Sequence, residues 1–496
     1  MKKLYLLFFL IGCSNLFSQE YNVEDFGAIG DGNTINTEAI QSLIDKETLT
    51  NGGKIVIPKG KFVIGSIILK SNIELHLEKG AELLGSTKPE DYKKLSRWKA
   101  LILAENQSNI KISGRGTING RGAQLALHLD SLFYLGKIDS ADYNLNERRP
   151  KYTIRPQIIE FVNCTNVMVE DITLKNAACW VQTYDRCTEL TIENITVESD
   201  SYWNNDGIDI IDCKNVRISN SKINSSDDGI CLKSSIDNSK LGDYYCENIQ
   251  INNCKVRSSA SAIKLGSRSV GGFKNITIDN IKIYDTFRSA IALETVDGGI
   301  LQNVKVKNIR AKNVGNAFFI RLGQRYRKSK TPSTIQGVTI ENMKVNIANE
   351  RPDKNYKIKG PDLPYFHNTF PASITGIKGH SLANIHLENI QISYPGNSIK
   401  AYANYPLEHL DKIPELERAY PEYSMFGELP AWALYLRHAS NIQLKNVHFK
   451  LRNKEFRKAI VLDDVQDCKF INVSFTGVSP AEAIYQNNSS AITIED

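Results

Sequence analysis

Asn163-Cys-Thr-Asn-Val-Met-Val-Glu-Asp-Ile-Thr-Leu-Lys-Asn176 is answered 23 residues later by Arg186-Cys-Thr-Glu-Leu-Thr-Ile-Glu-Asn-Ile-Thr-Val-Glu-Ser199, and again by Asp212-Cys-Lys-Asn-Val-Arg-Ile-Ser-Asn-Ser-Lys-Ile-Asn-Ser225. In each stretch apolar and polar residues alternate on both sides of a central Asp or Asn, the two-residue period of two short strands joined at a turn. The phrase recurs at 71–85, 107–120, 245–258, 272–285, 299–313, 334–347, 381–394, 439–451 and 465–477. Between the anchors Asn166, Glu189, Asn215, Asn248, Asn275 and Asn303 the spacings are 23, 26, 33, 27 and 28 residues, one solenoid coil each. Neither strand could bury its apolar face alone, whereas stacked coils form parallel sheets around a narrow core. The expected fold is all-β, a right-handed parallel β-helix, with loops of varied length leaving the coils at fixed corners.

Longer gaps place insertions near 121–155, 348–374 and 395–432. Insertions of this kind rim the binding face of a solenoid; for the third, rich in Tyr, Pro and Glu, a cover over one end of the cylinder is an equal reading. The repeats fill 20–496 as one unit, although 496 residues would allow two or three ordinary domains. Residues 1–19 read as an export signal, with Lys2 and Lys3 ahead of an apolar run, 4–11, too short to span a bilayer. Small residues near Ser18 suit ordinary signal peptidase, while Leu10-Ile-Gly-Cys13 resembles a bacterial lipobox that would put a lipid anchor on Cys13. Either way the protein is exported, to the periplasm, the cell surface or the medium. No other segment has membrane length.

Cys164, Cys187, Cys213 and Cys246 hold equivalent places in successive repeats, which points to a buried ladder of free thiols rather than to disulfides. The net charge of +6 is dispersed with no basic tail, so nucleic acid is a poor partner and an anionic ligand gains only weak support.

A third strand precedes each phrase: Asp206-Gly-Ile-Asp-Ile, Asp228-Gly-Ile-Cys-Leu, Ser261-Ala-Ile-Lys-Leu, Ser289-Ala-Ile-Ala-Leu and Asn316-Ala-Phe-Phe-Ile. The third and fifth residues are apolar and point inward, so the second, fourth and sixth face solvent. This register predicts Asp209, Lys233, Lys264, Glu294 and Arg321 on one exposed sheet face, with Asp206, Asp227 and Asp228 at its edge. Rungs about 4.8 Å apart would make Asp206 and Asp228 feel each other's charge, and one of the cluster should hold a proton near neutrality. Cleaving an acetal needs one acid for the leaving oxygen and one carboxylate for water or for direct attack. The competing reading is that Asn204-Asn-Asp-Gly and Ser226-Asp-Asp-Gly are simply turns, but two such turns on adjacent coils feeding one charged face favour the chemical one.

With these residues in view, nearly the whole chain past the signal resembles glycoside hydrolase family 28, the polygalacturonases and rhamnogalacturonan hydrolases. Asp25-Phe-Gly-Ala-Ile-Gly-Asp-Gly-Asn, Thr37-Glu-Ala-Ile-Gln and Gly52-Gly-Lys-Ile-Val-Ile-Pro-Lys-Gly look like that family's N-terminal signature, which other β-helix enzymes of the pectin-lyase-like, single-stranded kind share. Asn204-Asn205-Asp206-Gly207 stands for its Asn-Thr-Asp-Gly, and Ser226-Asp227-Asp228 for its Gly-Asp-Asp. The resemblance implies that Asp227 is the general acid, that Asp206 and Asp228 hold the attacking water, and that the reaction inverts. The chain departs from the family at two places. Ala260-Ser261-Ala262 replaces Gly-His-Gly, and Ala292-Leu293-Glu294 replaces Arg-Ile-Lys, where a Glu would repel a substrate carboxylate.

Lys233, Lys264, Arg268, Arg288, Arg321 and Arg325 could recruit an acid group from other positions, or could simply form a solvated face. Trp180 could stack on a sugar or pack. The implied activity is hydrolysis of an acidic, galacturonate-containing glycan, exo-acting if the large loops close one end of the groove. A polysaccharide lyase and a non-catalytic glycan-binding protein are the alternatives on the same scaffold. No metal, cofactor or phosphate-binding motif stands out, and the polysaccharide or oligosaccharide is the expected partner.

Overall fold

The computed structural model describes residues 19–49, 51–236, 245–325, 332–364, 370–400 and 405–495; the expected export signal, Cys13 included, lies outside them, apart from residue 19. The chain winds as stacked coils, each strand pairing in parallel with its counterpart one coil on. One inward column runs Val167, Leu190, Val216, Ile249, Ile276, Val304, Val338, Ile385, Ile442 and Cys468 in unbroken register. These columns form one continuous apolar core from Val23 to Ile484. The parallel stack of coils is the β-helix that the repeat predicts.

The six repeat anchors all sit in the left-handed region, with φ between 54° and 57°. Asn tolerates that conformation better than most residues because its short polar side chain can bond locally. Here the side chains also stack: Asn248 donates to Asn215 at 3.0 Å, Asn275 to Asn248 at 3.2 Å and Asn303 to Asn275 at 2.7 Å. The anchor therefore both turns the chain and ties coil to coil. The four repeat cysteines are free and buried, and the Cys187 amide donates to Cys213 Sγ across 3.2 Å, as a stacked ladder requires.

Helix Thr37–Thr48 buries Ile40, Leu43, Ile44 and Glu47 at one end of the cylinder, where its apolar face covers core that would otherwise meet water. Residues 121–155 hold helix Gly122–Tyr134 and a small ribbon of Tyr143–Asn144 against Arg149–Pro150. The segment 405–430 lies on a sheet rather than over an end. Leu410, Ile413, Phe426 and Leu429 cluster on Phe319, Tyr435 and Val461, which point out of the coils. No helix among the described residues is long and apolar enough to cross a membrane.

Candidate active site

Two corners of adjacent coils build the site. Ile208 pairs with Ile230 and Ile230 with Ile263, while Gly207 N donates to Asp228 O at 2.9 Å and Gly229 N to Ser261 O at 2.8 Å. Asp206, Asp228 and Ser261 therefore follow one another up the helix. The glycine after each aspartate is required by packing: a Cβ on Gly207 would lie 2.6 Å from Gly229 O, and one on Gly229 would lie 2.5 Å from Ala262 O. Asp-Gly here marks a close approach of coils, and a plain turn reading does not account for it.

Asp206, Asp227 and Asp228 converge as expected, joined by two ammonium groups. Lys233 Nζ is 3.1 Å from Asp206 Oδ2 and also contacts Asp209. Lys264 Nζ is 3.2 Å from Asp228 Oδ2, 3.9 Å from Glu294 and 2.9 Å from Tyr420 Oη. Burial, then the neighbouring Asp209 charge, pushes Asp206 well above the usual carboxylate range. Burial and the charge of Asp228 likewise raise Asp227. Asp228 goes the other way: burial opposes ionisation, but Lys264, Lys233 and Arg288, with the Ser261 amide 3.0 Å from Oδ1, outweigh it. The cluster thus sets one carboxyl held low beside two pushed up, the kind of split that pairs of acid and base groups show.

Asn204, with φ 59°, places its side-chain amide 3.4 Å from Asp227 Oδ2. Its carbonyl accepts from Arg155 Nη2 at 2.6 Å, and Arg155 Nη1 donates to Ala178 O and Trp203 O at 2.7 and 2.8 Å. Sequence reading missed Arg155. The only signal was a lone charge immediately before the apolar strand Gln157–Val162.

Two cavities meet at Asn204 and Asp227. One, of about 390 Å³, is walled by Trp98, Tyr152 and Trp180 on one side and Tyr420 on the other, and carries Arg97, Lys233, Lys264, Arg268 and Arg325 around the aspartates. The other, of about 800 Å³, opens past Trp203, Arg288, Lys357 and Lys359. Arg325 is held bidentate by Asp297 at 2.7 and 2.8 Å, and Arg288 pairs with Glu422 at 3.2 Å. Arg97 has no such carboxylate partner, and burial, then the neighbouring charge of Arg268, lowers its basicity. Arg97 and Arg268, without ion pairs among the described residues, thus leave two guanidinium groups on one cavity, a chemistry suited to an anion. Arg97, Trp98, Tyr152 and Tyr420 were also missed, because they come from segments without the coil period.

The sheet face expected to meet solvent is covered. Asp209, Lys264, Glu294 and Arg321 are 0, 1, 2 and 1 % exposed. Arg321 takes no part in the site: its guanidinium donates to Gly376 O and Glu415 O, 2.8 and 2.6 Å away, beneath Phe426. Glu294 does not line the cavity. Burial raises it to about 7, against the pull of Lys264, so the repulsion expected from it is blunted. Ser261 acts through its backbone amide on Asp228. Trp180 lines the cavity, but Lys233 Nζ lies 4.5 Å over its ring and Trp98 meets it edge-on, so it both packs and borders the open space.

Oxygens of Asp206 and Asp228 and the Cys231 sulfur lie within 4.8 Å of one another, a spacing that could hold a cation. Lys233 and Lys264 already sit against those carboxylates, so an added metal ion would meet two like charges there.

Fold and site together define a parallel β-helix with Asp206, Asp227 and Asp228 gathered in a cationic, aromatic-walled cleft. The family model for glycosyl hydrolases family 28 matches residues 50–409, and the chain belongs to that family. It is 28 % identical over 320 residues to a protein of Vitis vinifera described as a probable polygalacturonase, covering 60 % of this chain and 61 % of that one. It is 24 % identical over 373 residues to the exo-poly-alpha-D-galacturonosidase of Dickeya chrysanthemi, 65 % of this chain and 62 % of that one. The chain thus spans less than two thirds of either relative. The family 28 exopolygalacturonase of Yersinia enterocolitica superposes over 90 % of this chain and 78 % of its own with a TM-score of 0.66 at 19 % identity, a likeness of fold.

Proposed function

We propose that the protein is an exported glycoside hydrolase that removes sugar units from one end of a galacturonate-containing glycan, with inversion. The observation that carries this reading is the meeting of two unequal cavities at Asp227. The smaller, at the low end of the range for ligand sites, suits a terminal uronate against Arg97 and Arg268; the larger suits the rest of the chain. In the reaction Asp227 gives its proton to the glycosidic oxygen as the bond to the anomeric carbon breaks. Asp228, aided by Asp206, takes a proton from the water whose oxygen bonds to that carbon. The likeness to a probable polygalacturonase and to an exo-poly-alpha-D-galacturonosidase supports the substrate class.

The whole of 20–496 then acts as one catalytic domain behind an export signal, in a right-handed coil, the hand that parallel crossovers adopt. A lyase reading is less favoured, since the carboxylates beside Lys233 and Lys264 raise both lysines well above their ordinary range against the opposing effect of burial.

The test is product analysis on reduced-end-labelled oligogalacturonates. Single sugars should appear from the unlabelled end with inverted anomeric configuration, and Asp227→Asn should lower kcat by about 10²–10⁴-fold. Internal cleavage from the first turnover would overturn the exo assignment, and an undiminished Asp227→Asn would overturn the acid.

A further inference from the structure

The sheet that feeds chain into the Asp227 corner carries an unusual column on its outer face. Lys222 pairs with Lys255, Lys255 with Lys282, Lys282 with Arg310 and Arg310 with Lys344, five cations on five successive coils. All five are exposed, as is Lys312 beside them. Like charges directly opposite on neighbouring strands repel, and the next sheet shows the usual remedy. There Lys214 pairs with Glu247 at 3.8 Å, Lys307 with Asp279 at 3.3 Å and Lys445 with Glu388 at 3.0 Å.

The basic column has no such relief. Lys255 lies over Tyr284, and none of Lys222, Lys282, Arg310, Lys312 or Lys344 has an ion pair among the described residues. Carboxylates around the column are engaged elsewhere or at its foot: Asp200 pairs with Arg257, Asp279 with Lys307 and Glu350 with Lys354, Asp285 accepts from Asn313, and Glu198 lies one coil below, opposite Asn224. A trough of about 950 Å³ runs along the upper part of the column, between Lys282, Arg310, Lys312 and Lys344 and the corner asparagines Asn280, Asn308, Asn342 and Asn389. One coil below the trough the strand Lys255–Ser258 leads to Ser259 and Ala260, which border the larger cavity with Lys357 and Lys359.

We propose that this column is a docking strip, separate from the catalytic pocket, for a linear acidic polysaccharide lying along the helix axis. The coil rise of about 4.8 Å is comparable to one sugar in an extended chain, so each coil offers a cation to each successive carboxylate, with corner amides for the hydroxyl groups. The strip would hold the polymer while its end is processed in the pocket. Its identity as a polyuronate rests on the proposed substrate, whereas the strip itself does not.

The experiment uses the full protein carrying Lys282→Gln, Arg310→Gln and Lys344→Gln, three exposed changes that leave the core untouched. Retention in gels containing polygalacturonate, neutral galactan, duplex DNA or phosphatidylserine vesicles is compared with that of the unaltered protein. Binding to polygalacturonate should fall at least about tenfold and become less salt-dependent, with KM rising for polymer and turnover of the trisaccharide unchanged. Polymer retention and KM equal to the unaltered protein's would overturn the proposal, as would DNA or vesicles bound through these residues at least as tightly as polygalacturonate. Strip-dependent polymer binding without hydrolysis of any uronate oligomer would instead sink the catalytic reading and leave the docking strip standing.

Discussion

Two sheets of one coil stack treat charge in opposite ways. On the site sheet, Asp209, Lys264, Glu294 and Arg321 point out of the coils yet are nearly inaccessible, and each is bound to a partner or pressed against one. On the adjoining sheet, Lys282, Arg310 and Lys344 point out of the same coils and stand in water. The strand period is identical in both. What differs is the cover: residues 405–430 lie on Phe319, Tyr435 and Val461 and reach Arg321 through Glu415 and Lys264 through Tyr420, Lys233 and Trp180 close over Asp209, and Lys282, Arg310 and Lys344 have no such cover. Outward charge is thus chemistry where a loop dries it and a contact surface where none does.

The comparison is broken most severely at lysine. Lys264→Met removes the cation from Asp228, Glu294 and Tyr420 and leaves two buried carboxyls facing each other. It should cost about 3–5 kcal/mol of stability and about 10²-fold in kcat, measured by urea unfolding and by initial rates. The activity profile should shift in a stated direction. Lys264 is the leading force holding Asp228 low, so without it Asp228 protonates at higher pH and the acidic limb moves upward. Lys282→Met, one coil on and bare, should stay within about 0.5 kcal/mol or stabilise. Equal losses at the two sites would show that the cover does not matter.

Arginine gives a smaller contrast. Arg321 ties Gly376 and Glu415 to the coil, so Arg321→Met should cost about 2–3 kcal/mol through the carbonyls it leaves unpaired and raise KM as Tyr420 loses its support. Its neighbour on the bare sheet, Arg310, should again be close to neutral. Limited proteolysis of 405–430, faster in Arg321→Met alone, checks the stated cause.

The same contrast explains what could be read from sequence. Asn166, Asn215 and Asn248 announced the coil because one conformation recurs at one place in every turn. Asp206 and Asp228 could be set side by side because an apolar register, Ile208 on Ile230, carries them. The burial of Arg321 and Glu294 could not, since alternation tells inside from outside but says nothing of a segment about 90–130 residues on that folds back over the outside. Arg97, Tyr152, Arg155 and Tyr420 were hidden for the same reason: each reaches the site from a stretch with no repeat. The contacts that fixed them are between elements remote in sequence.

The finest test concerns Glu294, where burial under the cover raises the carboxyl from 4.5 to about 7. Between those values the folded protein holds a proton that the unfolded chain has released, so folding is favoured at the acidic end and loses ground as pH rises. The loss approaches about 3 kcal/mol by pH 8 if Glu294 acts alone. Asp228, held low, has the opposite effect and surrenders its contribution only in acid. Glu294→Gln keeps the shape of the side chain and abolishes its titration. Its stability should fall less than the unaltered protein's between pH 5 and 8 and should overtake it above about pH 7, as read from urea midpoints. Glu160, also raised to about 7, and Asp212, raised to about 6, keep part of the decline in both proteins. If Glu294→Gln declined as steeply as its parent, the carboxyl would be ionised in water throughout, and the site sheet would be as bare as its neighbour.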